Sequence, residues 1–142
     1  CLVGSEMCIR DRPWTMTSSD GGLGPMGEGV PHPRTYGAFA RKLRLYVNEL
    51  GVVSLEDAIR SMTSLPAAVF GMPDRGVLRV GAVADIAVFD LAAIRDVATY
   101  TDPHHYSEGM VHVLVNGVPS IRDADFTGQR AGRVLQKSGP PR

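Results

Sequence analysis

The order of elements along the chain predicts an α/β fold, and three observations carry that expectation. A β-branched, aromatic stretch at 14–19 (WTMTSS) ends at Asp20-Gly21-Gly22. Two helical periods follow, over 35–50 and from Leu55 to Met62. Beyond Gly71 the apolar residues alternate around an Asn116-Gly117 pair.

Taken in order, 14–19 has the composition of a strand that runs into a turn. Residues 21–33 are rich in Gly and Pro and predict a loop. Tyr36, Phe39, Ala40, Leu43, Val47 and Leu50 recur at helical spacing, with Arg41, Lys42, Arg44 and Asn48 mostly on the opposite face. Gly51 is a natural stop. Ser54-Leu55-Glu56-Asp57 resembles a capping box, and Leu55, Ala58, Ile59 and Met62 continue the helical period. Pro66 predicts the opening of a further helical turn up to Gly71.

The second half predicts strands. Arg75-Gly76-Val77-Leu78 and 84–90 (ADIAVFD) flank a turn at Gly81. Val111, Val113 and Val115 alternate with His112, Leu114 and Asn116, and Asn116-Gly117 signals a two-residue hairpin returning through 118–122. A strand feeding two helices makes no core alone, so its neighbours are expected from a longer protein.

Composition narrows the function classes. Lys plus Arg and Asp plus Glu each number 15 in 142 residues, so the formal net charge is zero. That balance gives no electrostatic reason to expect nucleic acid or an anionic membrane as partner. No apolar run approaches the ~20 residues that span a bilayer. Cys1 and Cys8 fit no zinc spacing and no disulfide framework. The absence of cysteine beyond them suits a reducing compartment, and with no targeting signal in view the expected location is cytoplasmic. Residues 1–12 (CLVGSEMCIRDR) resemble a translated sequencing-adapter scar and are set aside from the fold. The polar, Pro-containing 136–142 predicts a disordered tail.

Four places could carry chemistry. Asp20 stands at a strand end, where (β/α)-barrels hold their catalytic groups, and a carboxylate there can bind a metal or accept a proton. Asp-Gly is equally common turn chemistry. Gly22-Leu23-Gly24-Pro25-Met26-Gly27 matches G-x-G-x-x-G, but Pro25, Pro31 and Pro33 keep a helix from starting there, so a dinucleotide site is excluded. His32-Pro33-Arg34 offers a guanidinium fork suited to a carboxylate, with His32 able to touch substrate or brace the loop. His104, His105 and His112 make no metal face, because adjacent histidines diverge and His112 alternates on a strand. No Ser/His/Asp set and no Cys/His pair completes an active site.

These residues carry a resemblance. Ser19-Asp20-Gly21, His32-Pro33-Arg34 and Tyr36-Gly37-Ala38-Phe39 are similar to the corresponding run of the N-acyl-D-amino-acid deacylases (D-aminoacylases), a branch of the amidohydrolases. So are Ser54-Leu55-Glu56-Asp57, Gly81-Ala82-Val83-Ala84-Asp85 and Val113-Leu114-Val115-Asn116-Gly117. The resemblance covers about residues 13–135. It implies the C-terminal end of a (β/α)8 TIM-like barrel at 13–71 and part of a small β-sandwich subdomain at 72–135. It also implies metal-assisted amide hydrolysis of an N-acyl-D-amino acid, a small-molecule substrate. Zinc is the implied cofactor, held mainly by histidines and a cysteine of earlier strands that this chain lacks. Asp20 matches the family's proton-shuttling carboxylate, which also touches a metal. Arg34 matches the arginine that holds the substrate carboxylate, with His32 beside it. The chain alone is expected to hold no catalytic zinc and to be inactive. Two rival expectations are another amidohydrolase chemistry, such as cyclic-amide hydrolysis, and a non-catalytic β-rich binding module. Oligomeric state is left open.

Overall fold

The computed structural model describes residues 12–22 and 24–135. The expectations for Cys1, Cys8 and the rest of 1–11, and for the tail 136–142, lie outside the described residues. The elements are helix α1 (Arg34–Arg41), a π-helical segment (Lys42–Glu49), α2 (Leu55–Met62) and α3 (Ser64–Val69). The strands β1 (Ile86–Phe89), β2 (Met110–Val115), β3 (Val118–Arg122) and β4 (Asp125–Phe126) follow. They form one antiparallel sheet in the order β1-β2-β3-β4. Helices followed by a sheet agree with the α/β expectation.

Local chemistry explains the boundaries. Ser54 caps α2 by accepting the Asp57 N–H at 3.1 Å, and its own hydroxyl donates to Asp57 Oδ2 at 2.9 Å. Asn116 and Gly117 both have positive φ, 51° and 79°, as a two-residue hairpin turn requires. The next turn does the same with Asp123 and Ala124, at 52° and 69°. It pairs the short β4 against β3, a strand the sequence pattern does not reveal.

The core forms where the helices meet the start of the second half. Ala40, Leu43, Val53, Ala58 and Ile94 are buried together, with Phe89, Leu91 and Met110 packed against them from the sheet side. Burying one such leucine contributes about 1.5–3 kcal/mol.

Three sequence expectations are corrected. Residues 14–19 form no strand, because among the described residues no strand lies beside them to share hydrogen bonds; the Thr17 N–H donates to the Ser61 carbonyl at 2.9 Å instead. Arg75-Gly76-Val77-Leu78 forms no strand: the chain bends at 75–77, with Gly76 at φ 81° and the Arg75 guanidinium paired with Asp85. The single helix expected over 35–50 changes to π-helix at Lys42, where the Leu50 N–H reaches back five residues to Leu45 O at 2.9 Å. Each residue of a π-helix turns less about the axis than in an α-helix, so the apolar face drifts. Leu50, at the end of the segment, is left about half exposed; Phe39, in α1 before it, is about half exposed as well, and Lys42, expected on the polar face, is buried. Its ammonium donates to Thr17 Oγ1 and Ser61 Oγ, both at 2.7 Å.

Candidate active site

Asp20 ends the 14–19 segment in the left-handed region, at φ 48°. The hydroxyls of Ser18 and Ser19 accept the Asp20 and Gly21 N–H groups at 3.3 and 3.2 Å, which shapes this corner. Gly21 then passes over the start of α1: a Cβ there would lie 2.9 Å from Thr35 Cα. That close approach puts the Asp20 carboxylate beside the first residue of the helix. Arg34 Nη2 meets Asp20 Oδ2 at 2.8 Å, with both side chains substantially exposed.

The two residues line one groove of about 350 Å³, together with Glu28, His32 and Tyr36. His32 is the hinge of the arrangement. Its Nδ1 accepts the Arg34 N–H at 3.1 Å, and its Nε2 lies 3.2 Å from Tyr100 Oη, with the rings edge to face at 5.0 Å. A second groove of about 330 Å³ opens on the other side of His32 and Arg34, toward Asp96 and Tyr100. The structure therefore gathers all three residues singled out in the sequence, Asp20, His32 and Arg34. The arrangement offers a carboxylate that can take a proton and a guanidinium fork that can hold an anion.

Sequence reading missed the residues that brace this groove. Tyr36 lines it, and its ring packs edge-on against Tyr106 at 5.6 Å. Tyr100 and His104 contact the groove's loop from the second half of the chain. No local pattern marks contacts across such separations. The other imidazoles are occupied separately: His105 Nε2 lies 2.8 Å from Asp102 Oδ2, and His112 Nδ1 accepts the Asp123 N–H at 3.1 Å.

Among the described residues no group of three His, Cys, Asp or Glu side chains could hold a metal ion. Asp20 offers one carboxylate, already paired with Arg34. The described residues thus do not compose a zinc site, and a metal in a longer protein would need its other ligands from elsewhere. Among the described residues no helix is long and apolar enough to cross a membrane.

Comparison with known proteins gives the family to which this fold and groove belong. The model of the amidohydrolase family matches residues 8–121, and this chain belongs to that family. The match begins at Cys8, inside the stretch that resembles an adapter scar.

Among its relatives, D-aminoacylase of Alcaligenes xylosoxydans xylosoxydans is 46% identical over 124 residues, covering 87% of this chain and 25% of that protein. A crystal structure of D-aminoacylase superposes with a TM-score of 0.83 at 43% identity, over 91% of this chain and 27% of that one. The N-acyl-D-glutamate deacylase of Bordetella bronchiseptica, solved with zinc and a phosphonate mimic of the tetrahedral intermediate, gives 0.74 at 44% identity. It covers 80% of this chain and 23% of that one. The chain spans about a quarter of the length of the relatives it matches.

Proposed function

We propose that this chain is a segment of a zinc-dependent N-acyl-D-amino-acid deacylase, a hydrolase that cleaves the amide between an acyl group and a D-amino acid. In this reading 13–71 supplies the last strand and helices of a (β/α)8 barrel, and 72–135 supplies part of a β-sandwich subdomain. The burial pattern supports the barrel placement. Between Trp14 and Asp20 exposed and half-buried residues alternate, leaving Trp14 and Met16 on the open side, as a strand awaiting neighbours would. Cytoplasmic residence and a small-molecule substrate belong to the same proposal.

The observation that carries the reading is the Asp20–Arg34 pair across one groove. Arg34 is the group for the substrate's α-carboxylate, because its planar fork matches a carboxylate bidentately. Asp20 is the group for the proton that moves from the attacking water to the leaving nitrogen. In the pair each residue occupies the other's station. An arriving substrate carboxylate replaces Asp20 on Arg34, and Asp20 is then free to accept a proton. Zinc, when bound by the longer protein, supplies the electrophilic assistance; its ligands lie mainly outside this chain.

The test uses the full-length protein that carries this chain, loaded with zinc and offered N-acetyl-D-amino acids, their L-enantiomers and a hydantoin. Hydrolysis of the D-compounds is expected, with kcat lowered about 10²- to 10⁴-fold in Asp20→Ala. Full activity in that variant, or preference for the hydantoin, would overturn the assignment.

A further inference from the structure

The loop that walls the groove is held from behind by one imidazole. The Gly27 N–H donates to His104 Nδ1 at 3.1 Å, and His104 Nε2 lies 3.0 Å from the Gly29 carbonyl oxygen. Tyr36 Oη sits 3.3 Å from the same Nδ1. A backbone N–H can only donate, so Nδ1 is an acceptor. The ring proton of the neutral imidazole is then on Nε2, where it donates to Gly29 O. The Gly27 contact fixes that tautomer, and the contacts to Gly29 and Tyr36 are compatible with it. They span 77, 75 and 68 residues of sequence, so they are tertiary contacts with no local cause.

Between the two clasped glycines stands Glu28, which lines the groove. Gly27 and Gly29 both have positive φ, 87° and 67°, which turns their peptide groups toward the ring. The far end of the loop is pinned by the same region of the chain, through Tyr100 on His32. Few apolar contacts hold 24–29, where every residue is exposed. The position of this wall therefore rests on a small number of hydrogen bonds.

We propose that His104 is a positioning residue for substrate binding: its Nε2-protonated ring clasps Gly27 and Gly29 and sets the groove wall that faces the Asp20–Arg34 pair. It touches no reacting group. This rests on the deacylase reading for its effect on substrate, though not for the clasp itself. Loss of the clasp frees the wall without removing Asp20 or Arg34, so binding suffers more than turnover.

The experiment uses the zinc-loaded full-length protein and two readouts. A glutamate-specific protease reports the loop through its cut after Glu28, and steady-state kinetics on an N-acetyl-D-amino acid report the groove. In His104→Phe, cleavage at Glu28 is expected to rise about tenfold, and KM about tenfold with kcat within about twofold, since the hydrogen bonds to Gly27 and Gly29 are lost together with the Tyr36 contact. His104→Gln, which can still donate to Gly29, recovers part of both effects. His105→Ala, whose ring pairs with Asp102 in its own segment, matches the wild type. If His104→Phe does not fold, His104→Asn keeps an acceptor for Gly27, loses the donor to Gly29, and carries the same two readouts. Unchanged cleavage at Glu28 overturns the clasp. Faster cleavage with unchanged KM, or a fall in kcat with unchanged KM, overturns the positioning role. A full-length protein without deacylase activity overturns the functional reading instead, and the cleavage rate still decides the clasp.

Discussion

Asp96 accepts a hydrogen bond from Arg44 Nε at 2.7 Å, and through it the π-helical segment is tied to the chain that follows the first strand of the sheet. Arg41 Nη1 adds a second contact at 3.2 Å. Burial works to raise the Asp96 pKa, yet the hydrogen bonds from Arg44 and Arg41 outweigh it and hold the carboxyl below its ordinary value. A carboxyl lowered in the folded state adds stability above its unfolded pKa, about 4. That contribution is lost as the pH falls through the lower folded value. Asp96→Asn is therefore expected to cost about 1–2 kcal/mol at pH 7 and progressively less below pH ~4, read from urea midpoints across pH.

Gly37 sets the spacing on the same contact. A Cβ at this buried position would stand 2.7 Å from the Asp96 Cβ. Gly37→Ala gains helix propensity of about 1 kcal/mol but forces Asp96 off Arg44. A net loss of about 1–2 kcal/mol in thermal unfolding is expected. A stabilised variant would mean that the helix and the Asp96 segment can separate freely.

The β3–β4 turn offers the opposite sign. Ala124 has φ 69°, where a Cβ crowds the following carbonyl. Ala124→Gly removes that strain at the expense of a more flexible unfolded chain. A gain of about 0.5–1 kcal/mol in the denaturation midpoint is expected, with no effect on substrate kinetics.

Arg34→Lys separates charge from shape at the proposed carboxylate station. Lysine keeps the positive charge but not the bidentate fork. In the full-length protein KM for an N-acetyl-D-amino acid should rise about tenfold or more, with kcat reduced far less. Equal losses in kcat and kcat/KM would place Arg34 in the chemical step instead.

The features that were legible in the sequence are those fixed by neighbouring residues. Ser54 caps α2 because its acceptor is three residues from Asp57, and Asn116-Gly117 turns because both residues tolerate positive φ. The family resemblance singles out Asp20 and Arg34 separately, while their closeness has no local signal, since it depends on Gly21 folding the loop back over α1. Other features depend on partners distant along the chain. Lys42 is drawn inward by Thr17 and Ser61, partners that an α-helical period does not reveal. The 14–19 stretch has a strand's composition, but a strand exists only where another shares its hydrogen bonds. His104 carried no motif at all, because its acceptor and donor are backbone groups of glycines that any loop could contain.

The two-ended grip of Tyr100 and His104 on the Gly-rich loop also bears on how chains of this family can be recombined. Here the anchor for that loop lies in a separate stretch of sequence, with His104 reading the peptide groups of Gly27 and Gly29 and Tyr100 reading His32. A chimaera that transplants only the loop inherits a wall without its fastening. The exchangeable unit is the pair of stretches, and crossover points between them break it.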